Sequence, residues 1–153
     1  MASEAWTAEF FVGVDGSSPV ERWLDRLGPL EFAAMAAAIT HVLEPNGIAL
    51  ARTEWLKPLG GGLHEFRVRH SAAETVSMYA DQGVPLPKAG ASGRILLRLF
   101  VHFHGARVVL LLNGYDKGND TSAKRQQREI SRARTHLRAW QSAQARTRKH
   151  DRG

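Results

Sequence analysis

Three features of this sequence predict a single α+β domain: a small antiparallel sheet of about four strands, two N-terminal helices packed on one face, and a C-terminal helix. Apolar residues recur at two-residue and then helical spacings along the chain, in the order β-α-α-β-β-β-α. A length of 153 residues suffices for one hydrophobic core and falls short of two independent ones. The contents of 43% hydrophobic and 24% charged residues are those of an ordinary globule.

The first strand is read in "WTAEFFVGV", Trp6 to Val14, which is rich in aromatic and β-branched residues. "DGSS" ends it, and Ser17 or Ser18 caps a short amphipathic helix with Pro19 in its first turn and Val20, Trp23, Leu24 and Leu27 on one face. Pro29 opens a second helix, whose alanines imply close packing, and Pro45, Asn46 and Gly47 stop it. After a connector from Ile48 to Gly62, "LHEFRVRH" alternates as a strand, with Leu63, Glu65, Arg67 and Arg69 on one face. Residues 71–93 hold several prolines and glycines and weak periodicity, so they read as a flexible insert. "RILLRLFVHFHGARVVLLLNGY" reads as two central strands folded back at "HGAR". Asp120 to Ser122 then cap a last helix carrying Ile130, Ala133, Leu137 and Trp140, which frays into a basic tail over 141–153.

Twenty-one Lys plus Arg against 15 Asp plus Glu give a net charge of +6, which favours polyanionic partners. Many of the basic residues fall between Lys124 and Lys149, where a merely solvated helix face is the competing reading. The longest apolar run is far below the ~20 residues a bilayer demands, so no membrane partner is expected. The N-terminal residues lack a signal-like pattern, and the absence of cysteine fits a reducing, cytoplasmic setting.

The segments "SPVERWLDRL", "KPLGGGLHEFR", "ILLRLFVHF", "VVLLLNGYDKG" and "EISRART", in that order, resemble the HigB-like (phage-derived host-inhibition) branch of the RelE/ParE toxin superfamily. That resemblance implies the toxin of a type II toxin-antitoxin pair: a metal-independent, ribosome-associated mRNA endonuclease, held in check by a cognate helix-turn-helix antitoxin. It also implies that Arg67, Arg98 and Lys117 stand at the family's cationic active-site positions. The chain departs from the family in its long insert and in having a single Lys117, followed by Gly118, where the family has paired basic residues.

Elementary chemistry gives this expectation its sense. Attack of a 2′-hydroxyl on the adjacent phosphate needs a proton acceptor, stabilisation of a phosphorane and help for the leaving oxygen. Clustered carboxylates that would hold magnesium are absent from the sequence, so no cofactor is expected, and fixed Arg and Lys charges are the remaining means. A structural ion pair with Glu65 is the rival reading for Arg98. Glu65 is read as orienting an arginine, since adjacent cations weaken it as a base. Lys57 is assigned to backbone phosphate, against a plain exposed lysine, and Tyr115 to base stacking, against a core aromatic. Gly60, Gly61 and Gly62 admit backbone geometries closed to other residues, whether for a plain turn or for a passing polymer. His102 and His104 share a strand face with Arg98; a polar strand end explains them more simply than a metal site. The alternative function is a non-catalytic protein on the same scaffold, either a gyrase-targeting toxin or a nucleic-acid-binding module.

Overall fold

The computed structural model describes residues 5–79 and 95–152. Its elements, in chain order, are β1 (Thr7–Phe10), α1 (Pro19–Arg26), α2 (Pro29–Ala38), a π-turn (Ile39–Leu43), the single turn α3 (Glu44–Asn46), a 3-10 turn (Gly47–Leu50), β2 (Leu56–Gly60), β3 (Leu63–Val68), α4 (Ala72–Tyr79), β4 (Leu97–His104), β5 (Val108–Asp116) and α5 (Ala123–Arg152). The α+β class and the placement of the helices agree with the sequence. The sheet, however, has five strands in the order β1-β5-β4-β3-β2.

The additional strand is β2, inside the expected connector, where Pro58 and the glycines mask it. Proline cannot donate to a ladder, and the outermost place that β2 occupies tolerates it. β1 lies at the opposite edge and runs parallel to β5, with Thr7 opposite Val108, so the sheet is mixed rather than wholly antiparallel. β2 and β3 form a hairpin in which Gly60, Gly61 and Gly62 all have positive φ. The three glycines therefore build a tight turn that a side chain would strain. From α5, the Arg134 guanidinium donates to the Leu59 and Gly60 carbonyls at 2.8 and 3.1 Å and holds that turn.

Two apolar layers flank the sheet. Trp23 of α1 and Met35 and Ala38 of α2 pack on Phe66, Val68, Leu97, Leu99 and Leu111. On the other face, Ala133 and Leu137 of α5 pack on Leu63, Phe100, Leu110, Leu112 and Tyr115. The ladder between β4 and β5 shifts at Leu112, because Phe100 pairs with Asn113 and Val101 with Leu111. That extra residue reverses the alternation and turns Asn113 and Tyr115 toward α5.

Two expected irregular regions are corrected. Residues 72–79 of the presumed insert are helical, since Ser71 Oγ accepts from the Glu74 amide at 3.2 Å while Glu74 Oε1 accepts from the Ser71 amide at 3.1 Å, a reciprocal cap. The rest of the insert, 80–93, lies outside the described residues. The presumed frayed tail instead continues α5 to Arg152.

Candidate functional site

The register of the sheet lines up Arg67 of β3, Arg98 of β4 and Tyr115 of β5 as direct cross-strand neighbours. Side chains at such positions stand side by side on one face, here the face covered by α5. Glu65, two residues before Arg67 and opposite Lys57 of β2, shares that face.

Glu65 is the centre of the arrangement and is 0% exposed. Its Oε1 accepts from Arg67 Nε at 3.0 Å and lies 3.9 Å from Arg98 Nε. Its Oε2 accepts from Gln126 Nε2 of α5 at 3.1 Å. Arg98 is itself only 3% exposed. Burial pushes its guanidinium below the usual value, and the Glu65 carboxylate opposes that shift. Arg98 Nη1 donates to its neighbour's carbonyl, Leu97 O, at 3.2 Å. Among the described residues, Arg98 Nε has no hydrogen-bond partner and neither does Tyr115 Oη, although both atoms are buried. Two buried polar groups on cross-strand neighbours, in a cationic cluster, therefore lack a hydrogen bond among the described residues.

Tyr115 is a core aromatic: its ring lies parallel to Phe100 at 6.2 Å, and the Arg125 guanidinium sits 5.2 Å from its centroid. In this conformation it offers no open platform for a base. Burial, followed by the Glu65 charge, raises its pKa and keeps the hydroxyl protonated. Lys117 begins the turn after β5, its amide donating to Leu96 O at 2.8 Å. Desolvation first, then the positive charge of Arg98, lowers the Lys117 pKa, which puts its ammonium within electrostatic reach of the row. Arg67 keeps 23% of its side chain exposed, Lys117 is half-buried, and Lys57 and Arg69 are exposed.

The six residues singled out from the sequence thus divide. Arg67, Arg98, Glu65 and Tyr115 come together beneath the start of α5, Lys117 lies within electrostatic reach of them, and Lys57 stands on the exposed outer strand. Sequence reasoning missed the residues that α5 brings to the cluster. Arg125 donates to Glu129 Oε2 at 2.9 Å, and Glu129, itself buried, also accepts from Asn113 Nδ2. The i,i+4 spacing of Arg125 and Glu129 was the available signal.

His102 and His104 stack on each other at 6.0 Å with Trp140 against both, and His102 Nδ1 contacts Gly62 O at 2.8 Å. Among the described residues, no group of three or more His, Cys, Asp or Glu is placed to hold a metal ion. Compared with protein-family models, curated proteins and solved structures, the chain matches none.

Proposed function

We propose that the chain is a toxin that cleaves mRNA without metal, by attack of a ribose 2′-hydroxyl on the neighbouring phosphate. The observation that carries this reading is the orphaned pair of buried donors, Arg98 Nε and Tyr115 Oη, inside a row of cations. A phosphate oxygen supplies the acceptor that both lack.

In this reading Arg67, the more exposed guanidinium, takes the phosphate first, and Arg98 and Tyr115 bind the extra negative charge as the phosphorane forms. Glu65 is a positioning residue, since it holds two guanidiniums and does not reach solvent. Lys117, whose pKa is depressed, gives its proton to the departing 5′ oxygen. The new bond joins phosphorus to the 2′ oxygen while the bond to the 5′ oxygen breaks. The products are a 2′,3′-cyclic phosphate and a free 5′-hydroxyl, and the 2′-hydroxyl proton passes to solvent. Lys57 and Arg69 guide the flanking backbone. Arg125 and Gln126 lie over the row, so entry of the phosphate requires the start of α5 to yield. The ribosome, a cognate helix-turn-helix antitoxin and a cytoplasmic location belong to the same reading.

End mapping of mRNA incubated with the purified protein in a chelator, with and without translating ribosomes, tests it. New cyclic-phosphate ends are expected, and Arg67→Ala or Lys117→Ala should lower the rate about a hundredfold, or ~3 kcal/mol. Unchanged RNA ends in both conditions would sink the nuclease reading.

A second reading rests on the closed ion network of Glu65, Arg67 and Arg98, which needs no ligand to satisfy its charges. It makes the chain a non-catalytic binding protein, directed at DNA gyrase or at nucleic acid. Inhibition of DNA supercoiling, or RNA binding without cleavage, separates it from the first.

A further inference from the structure

β1 stops pairing with β5 at Leu111, so among the described residues the second half of β5 has no strand on its outer side. There α1, from one face of the sheet, and α5, from the other, enclose a cavity of about 310 Å³. Arg22 and Arg26 of α1 and Arg132 and His136 of α5 line it, with Asn113 of β5. None of the described residues lining it is acidic, and Arg22 and Arg26 make no ion pair among the described residues.

Asn113 supplies a second, independent observation. It is 2% exposed, and its Nδ2 is committed to Glu129 at both the backbone oxygen and Oε1, at 3.2 and 3.3 Å. That fixes the orientation of the amide and leaves Oδ1 buried without a partner among the described residues. His136 Nε2 is in the same condition. A buried acceptor without a donor costs free energy unless a ligand or water satisfies it. The cavity therefore combines a cationic mouth with an acceptor lacking a donor. Its volume is at the lower end of the ~300–1,000 Å³ that hold small molecules, which suits one nucleotide-sized unit.

We infer that this cavity binds a nucleotide-sized phosphate ester, with Arg22, Arg26 and Arg132 taking the phosphate and Asn113 Oδ1 accepting from a ligand hydroxyl or amino group. The site lies across Glu129 from the row of Arg67 and Arg98 and does not depend on cleavage there. A free nucleotide and a nucleotide within an RNA chain carry the same chemistry.

Calorimetric titration of the full chain at low salt with adenosine and uridine 5′-monophosphates, inorganic phosphate and a short RNA oligonucleotide tests the inference. Both monophosphates should bind more tightly than inorganic phosphate. Arg22→Gln with Arg26→Gln, both exposed on α1, should weaken them about a hundredfold, at roughly tenfold per charge-assisted bond removed. Competition of the oligonucleotide with the monophosphates identifies RNA as the source, and its absence identifies the free nucleotide. Arg67→Ala should leave monophosphate binding unchanged, which separates this site from the one proposed for cleavage. Equal affinity for inorganic phosphate and the nucleotides, or no loss in the double variant, overturns the inference.

Discussion

Glu65 holds one guanidinium that reaches solvent and one that does not. If it is replaced by Gln, Arg67 can turn outward and be hydrated, whereas Arg98 remains buried with no other carboxylate within 4 Å among the described residues. An unpaired buried charge is costly, so Glu65→Gln should lower stability by about 3 kcal/mol in urea unfolding. A change of a few tenths would mean that water reaches Arg98. Three histidines contribute to the response to mild acid. Burial lowers the pKa of His64, His104 and His136 below the 6.5 of a free side chain. Below pH 6.5 the unfolded chain therefore binds protons that the fold resists. Their contribution is whole above that pH and is lost progressively as the pH falls from there through the lower folded values. The urea midpoint should drop between about pH 7 and pH 5, and less so in His136→Asn; an equal drop would clear His136 of a part. The alternation of β3 made Glu65 and Arg67 legible as face-mates from sequence. The face to which Tyr115 and Asn113 turn was not legible there, because the extra residue at Leu112 reverses the pleat and no local pattern announces a bulge.

Helix α4 shows how composition can hide a structure that local chemistry specifies. "SAAE" is a capping box, yet the prolines and glycines after it make the whole stretch read as loop. Ser71→Ala should cost about 1 kcal/mol, measured by denaturation, because it orphans the Glu74 amide. An unchanged midpoint would show that α4 is held by its packing on α2, the π-turn and Trp55 rather than by its cap. The start of α5 was legible from its caps: Ser122 Oγ accepts from the Arg125 amide at 3.1 Å. Its end was not, since polar residues with ordinary helix propensity continue a helix without an apolar stripe to betray it. Trp140 is the last described α5 residue that packs on the core. Removal of residues 141–153 should therefore leave the melting temperature within a degree or two, about the effect of a neutral surface change.

The same truncation probes how the molecule as a whole meets a polyanion. It deletes Arg146, Arg148, Lys149 and Arg152 against one acid, Asp151. If those cations neutralise RNA phosphates, the slope of log affinity against log salt should shrink by nearly one for each phosphate no longer neutralised. An identical slope would confine RNA to the sheet side of the molecule. Net charge was readable from composition, whereas its arrangement around one buried carboxylate required the register of three strands.

The pairing of Thr7 with Val108 joins the first described strand to the last. During synthesis β1 emerges before β5 and must wait, without its native neighbour, until β5 has left the ribosome. Closure of so long a loop comes late and slowly. Nascent chains therefore keep an open sheet edge, which a chaperone or a second nascent chain can occupy before the native neighbour arrives.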